Sequence, residues 1–131
     1  MLMQSVSITL TLLGLLAVAQ VPLTMMVGLT RAAKQISFLD GGDDTMLRRM
    51  RAHGNFVENV PMALLVIGAA EWTGAPNWMV LACALSLVAG RSLHAWSLLC
   101  RGPVLTRAIA MLMTLAPMAV GGLWLLAAQL R

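Results

Sequence analysis

Apolar residues run through this chain in long blocks, and the breaks between the blocks are short and polar. The first block extends from about Ile8 to Leu29. That is enough to cross the ~30 Å hydrocarbon core of a bilayer as a helix. A cleaved leader is the rival reading, but Met1–Ser7 carries no Lys or Arg to open one. The block is read as a retained helix I, with a kink expected near Pro22. Arg31 and Lys34 close it, and a glycine- and acid-rich loop follows, Phe38–Thr45, in which Asp43, Asp44 or Thr45 is the expected helix N-cap. Helix II is expected from about Thr45 to Trp72. Its first half is charged and its second half, Met62–Ala70, is apolar, with a bend expected at Pro61. The turn between Trp72 and Trp78 places two tryptophans where a membrane–water interface favours them. Helix III is expected from about Asn77 to Leu99, where Ala82, Ser86 and Gly90 recur at steps of four and form a groove that another helix can enter. After the Arg101-Gly102-Pro103 turn, helix IV is expected from about Pro103 to Leu130, with Pro117 midway. The expected fold is all-α, a four-transmembrane-helix up-down-up-down bundle, as a single domain over residues 1–131.

Composition agrees. Hydrophobic residues make up 60% of the 131 positions and charged residues 11%, more apolar surface than a soluble domain of this size can bury. The net charge of +4 does not imply nucleic acid, because no aromatic-and-basic surface accompanies it. Arg31, Lys34, Arg48, Arg49, Arg51, Arg101 and Arg107 gather at the I–II and III–IV connections, and the II–III turn holds only Glu71. The positive-inside rule then puts both basic loops in the cytoplasm and both termini outside, with Arg131 in minor dissent. Cys83 and Cys100 fall on one expected helix roughly 25 Å apart, beyond the reach of a disulfide, and read as free thiols. The acidic loop lacks the spacing and terminal Glu of a calcium loop, and no metal site is expected. The 11 methionines read as packing residues.

The stretch Arg48–Pro61, RRMRAHGNFVENVP, breaks the apolar pattern. On a helix, Arg51, Asn55 and Glu58 follow at steps of four and three and share one face. Charges from every helix collect at the same end: Arg31 from I, this stripe from II, Arg91 and His94 from III, Arg107 from IV. Charges facing lipid cost a few kcal/mol each, so they should face the bundle, a subunit interface or a wet cavity. They could satisfy one another, Glu58 with an arginine and Arg91 with a carbonyl. The basic groups outnumber the one acid, however, which invites an anionic ligand with carboxylates for the arginine forks and an ammonium group for Glu58. Arg48, Arg49 and Lys34 read as contacts to lipid headgroups.

The segment RAHGNFVENVP resembles the second-helix signature of the MAPEG family, the membrane-associated proteins of eicosanoid and glutathione metabolism, and Gly90–His94, GRSLH, resembles its third helix. The similarity extends over essentially the whole chain and is of the bacterial type. It implies a homotrimer in the bacterial inner membrane that binds glutathione as cosubstrate between subunits, near the cytoplasmic face. It implies glutathione contacts from Arg51, His53, Asn55 and Glu58, with Arg31 from the neighbouring subunit and Arg91 and His94 from helix III. It also implies a catalytic arginine at the start of helix IV, Arg107 first and Arg101 second, that favours the thiolate of glutathione toward a hydrophobic small molecule or lipid. The chain departs from the family in having no tyrosine. His94 and Leu98 stand in matching regions, and Ser97 or Thr106 could offer a hydroxyl. Two other readings remain: a non-catalytic membrane trimer binding lipid or thiol, and a proton-coupled transporter using Glu58 and His94, which the lack of an inverted repeat disfavours.

Overall fold

The structure is a computed structural model that describes residues 7–130. The N-terminal residues and Arg131, on which part of the topology expectation falls, lie outside the described residues. Four helices follow one another: α1 (Ser7–Lys34), α2 (Asp44–Trp72), α3 (Asn77–Leu99) and α4 (Val104–Ala128). α1 closes at Arg31 and Lys34 as expected, and their positive charges suit the last turn of a helix. α1 and α2 run without interruption through Pro22 and Pro61. α4 is slightly shorter at both ends than expected, because Pro103 acts as its N-cap and the helix closes at Gln129.

Local chemistry sets the helix ends. Asp43 is the N-cap of α2, its carboxylate accepting from the Met46 amide at 2.7 Å. Lys34 at the end of α1 donates to the same carboxylate and closes the loop. The Lys34 ammonium, followed by the Met46 amide, holds the Asp43 carboxyl below the usual carboxylate range. At the end of α3 the Gly102 amide reaches back to the Ser97 carbonyl at 2.8 Å, and Arg101 takes the left-handed conformation at φ +57. Glycine usually fills that position.

α2 is the central element and touches each of the other helices, whereas α1 and α4 flank it and do not meet. The core lies along these contacts, with Leu12 and Leu16 from α1, Phe56, Val60, Ala63 and Ile67 from α2, and Val80 and Leu87 from α3. α3 and α4 approach most closely where the sequence is small. The Ser86 hydroxyl donates to the Met113 carbonyl at 2.7 Å, and a Cβ on Gly90 would come within 2.9 Å of the Ala110 carbonyl oxygen. Ala82, expected in the same groove, faces outward instead. Gly121 admits α2 in the same way, since a Cβ there would fall 2.6 Å from Val66.

Large apolar side chains such as Val18, Leu65, Leu85, Leu112 and Leu123 point away from the bundle, the arrangement of a protein whose solvent is lipid. α1, α3 and α4 are long and apolar enough to cross a membrane. α2 is long enough at 29 residues, but its charged first half lowers its hydropathy. The chain is a multi-pass membrane protein.

At the end remote from the basic loops, Glu71 is buried and crosses to α1. One carboxylate oxygen accepts from the Ile8 amide at 3.0 Å and the other from the Thr9 amide at 2.8 Å. α1 has no acidic residue in its own first turn. Glu71 supplies that cap from another helix and satisfies amides that have no partner within α1. Nearby, the Trp124 indole donates to the Thr73 hydroxyl at 3.2 Å.

Candidate functional site

Because α2 is helical throughout, Arg51, Asn55 and Glu58 do lie on one face. That face is the strip of α2 left open between α1 and α4. Arg51 and Glu58 are exposed on it and Asn55 is half-buried. Toward the other end the strip becomes apolar, with Met62, Leu65 and Trp72 exposed. Glu58 leans back along the helix toward the basic end, and a Cβ on Gly54 would stand 3.9 Å from its carboxylate. Among the described residues neither Arg51 nor Glu58 makes a hydrogen bond or an ion pair.

Behind Asn55 the site is tightly built. Arg91, 4% exposed, donates from Nε to the Thr114 hydroxyl at 2.8 Å and from Nη1 to the Asn55 carbonyl at 3.1 Å, and its Nη2 lies 3.3 Å from the Met111 sulfur. Thr114 in turn donates to the Ala110 carbonyl at 2.9 Å. One guanidinium thus ties α3 to both α2 and α4. Asn59 donates to the same Asn55 carbonyl at 2.9 Å. His94 is buried within electrostatic reach of Arg91 and Arg107. Arg107, in the first turns of α4, has a buried Nε with no hydrogen-bond partner among the described residues.

The remaining expected contacts lie on the other flank of α2. His53 is about 200° around the helix from Arg51 and meets the Thr24 hydroxyl of α1 at 3.1 Å. Arg31 donates to the Leu39 carbonyl at 2.9 Å and to the Ile36 carbonyl at 3.4 Å, and it reaches the Met50 sulfur at 3.6 Å. Asn55, Arg91, His94 and Arg107 therefore form one group, Arg51 and Glu58 stand exposed on the same helix as Asn55, and Arg31 with His53 forms a second group on the other flank. Below the second group, α1 and α2 enclose an open apolar groove of about 800 Å³, lined by residues such as Leu13, Leu16, Phe56, Val60 and Leu64.

Sequence reasoning missed Asn59 and Thr114. Asn59 follows Glu58 directly, and Thr114 is a lone hydroxyl in an apolar stretch of α4; each could have been suspected as a buried polar partner. Of the hydroxyls considered as tyrosine substitutes, Ser97 is fully buried and donates to the Pro103 carbonyl at 3.4 Å, which leaves Thr106 as the more accessible one.

A four-helix bundle with long apolar spans and a charged strip on one helix defines a class of small integral membrane proteins. The sequence pattern of the MAPEG family matches residues 9–128, and the chain belongs to that family. Among curated proteins it is similar to the inner membrane protein YecN of Escherichia coli strain K12 and to the YecN of E. coli O6:H1 strain CFT073, each 38% identical over 64 residues, 49% of this chain and 49% of the relative. The matched stretch spans about half the length of these relatives. No solved structure matches the chain.

Proposed function

We propose that the protein is a glutathione transferase- or peroxidase-like enzyme of the bacterial inner membrane. It works as a homotrimer that binds glutathione between subunits on the cytoplasmic side. The observation that carries this reading is the exposed, unpaired Arg51 and Glu58 on the open strip of α2. At membrane depth each charge facing lipid costs a few kcal/mol, so a neighbouring subunit and a polar ligand have to cover them. Glutathione carries carboxylates for Arg51 and an ammonium group for Glu58. The orphaned Arg107 Nε supports Arg107 as the residue that stabilises the thiolate, with Arg101 second. Arg31 and His53, on the opposite flank of α2, fit a contribution to the next subunit's site. An apolar electrophile or lipid hydroperoxide would arrive from the bilayer. Inner-membrane placement rests on the YecN relatives, and the basic loops set both termini outside.

Calorimetry and turnover on the purified, detergent-solubilised protein test this. Glutathione should bind, an aryl halide or a lipid hydroperoxide should be turned over, and Arg51→Ala should weaken binding about tenfold or more, as expected for a lost charge-assisted hydrogen bond. A second reading, a thiol- or lipid-binding trimer without chemistry, is favoured by the absence of tyrosine. It would show as glutathione binding with no thiolate absorbance and no turnover. No glutathione binding at all would remove the enzyme and the thiol-binding reading together.

A further inference from the structure

We propose that a hollow at the basic end of the bundle, between α1, α2 and α3, is a site for the phosphate headgroup of an anionic phospholipid. It has a volume of about 260 Å³ and is lined by Met26, Thr45, Arg48, Arg49, Leu99 and Arg101. It is smaller than the roughly 300–1,000 Å³ of a pocket that swallows a whole drug-sized ligand, and is suited to a headgroup. Of the residues proposed above for glutathione, Arg51, Glu58 and Arg107 do not line the hollow, and only Arg101, second to Arg107 in that role, does.

Charge is the first argument. Three arginines surround the hollow and one carboxylate faces them. Asp44 takes Arg48 Nε at 2.9 Å and Arg101 Nη2 at 2.7 Å. Arg49 donates to a neutral partner, the Thr30 hydroxyl. Positive charge is therefore in excess, and Arg101 remains 68% exposed while bound to Asp44. Lys34, the other base that the sequence assigned to headgroups, is instead held by Asp43. The hollow recruits Arg101 in its place.

The second argument is how Arg101 is placed. It occupies the left-handed position that ends α3, where glycine is usual, although the next residue is itself a glycine. From there its guanidinium reaches across the III–IV turn to Asp44 at the start of α2. The third argument is depth. Met26 and Leu99 give the hollow an apolar wall, and α1 and α3 touch only lightly along their length. A phosphate among the arginines would leave its acyl chains beside an open, apolar seam. Basic pockets between helix ends on the cytoplasmic side hold anionic headgroups in this way.

The test uses the full chain in a zwitterionic detergent. Lipid retention is followed by native mass spectrometry and thermal stability by melting, with phosphatidylglycerol, phosphatidylcholine or inorganic phosphate added. Phosphatidylglycerol should bind and raise the melting temperature, and phosphatidylcholine should not. Arg49→Gln and Arg101→Gln should each weaken phosphatidylglycerol binding about fivefold, from about 1 kcal/mol per basic contact, and Lys34→Gln should leave it unchanged. Arg101 is exposed enough that its variant should fold, which keeps the test decisive if Arg49→Gln does not. Equal retention of both lipids, an unchanged Arg101→Gln, or an equal loss in Lys34→Gln would overturn the proposal. So would inorganic phosphate matching phosphatidylglycerol at equal concentration, because the site would then belong to a soluble anion.

Discussion

Glu58 and Glu71 occupy the same helix and meet opposite circumstances. Glu71 is 5% exposed, and both of its oxygens accept backbone amides of α1. Glu58 is exposed on the open strip, without a hydrogen bond or an ion pair among the described residues. Both are acids in a chain that is 60% hydrophobic, and neither can face hydrocarbon cheaply. One meets its requirement inside the subunit, as a cap that holds α1 against α2. The other stays exposed, and under the proposed function glutathione covers it. The contrast separates an acid that builds the fold from an acid that the fold does not use.

The largest test of this contrast is Glu71→Ala. It removes two charge-assisted bonds and leaves two amides at the start of α1 without their acceptor. A loss of about 3 kcal/mol is expected in detergent unfolding, with glutathione affinity lowered only as far as folding is lost. Glu71→Gln should lose about half as much, because the amide oxygen still accepts one bond. A Glu71→Ala protein as stable as the parent would mean that the cap contributes nothing.

Arg91 sharpens the boundary between the two roles. The resemblance makes it a ligand contact, yet its guanidinium is committed to Thr114 and to the Asn55 carbonyl. Arg91→Lys keeps the charge and loses the fork geometry. A stability loss of about 2 kcal/mol is expected, together with weaker glutathione binding as Asn55 shifts. Weaker binding at unchanged stability would return Arg91 to the ligand group.

Glu58→Gln should do the reverse of Glu71→Ala. Its stability should stay within about 0.5 kcal/mol of the parent, as for a surface change, while glutathione affinity falls about tenfold. Equal effects on stability from the two glutamate variants would erase the distinction between them.

Most of the fold was legible in the sequence, because hydropathy and turn chemistry are local signals. The bounds of α3 follow from Asn77 and Leu99, and the cap at Asp43 is one of the three candidates Asp43, Asp44 and Thr45 that the turn offered. The stripe of Arg51, Asn55 and Glu58 was equally legible, since helix periodicity alone aligns it. The partners were not. Nothing local says that Glu71 caps a helix more than sixty residues earlier, or that Arg91 selects Thr114 among the residues of α4. Such pairings depend on which helices become neighbours and at what rotation, and that is decided by close approaches such as Gly90 against α4 and Gly121 against α2. The outward face of Arg51 and Glu58 was beyond reach for the same reason.

The smallest effect concerns the acids at the basic end, Asp43 and Asp44, which stand apart from both glutamates by being solvated. Lys34 holds the Asp43 carboxyl below its ordinary range, and Arg48 does the same for Asp44. A carboxyl whose folded value is depressed releases its proton more readily in the folded state. Its contribution is complete above the unfolded carboxylate value of about 3.9 and fades as pH falls through the lower, folded value. Stability should therefore be level from pH 7 to about pH 5 in this respect and decline below about pH 4. Asp43→Asn keeps an acceptor at the N-cap and removes the titration, so its acid decline should be shallower than that of the parent. High salt should narrow the difference, because Lys34 is exposed and Asp43 partly so, and the pair is screened. Melting curves from pH 3 to pH 7 at low and high salt measure it, and identical acid declines in the two proteins would show that the Lys34–Asp43 contact does not persist in solution.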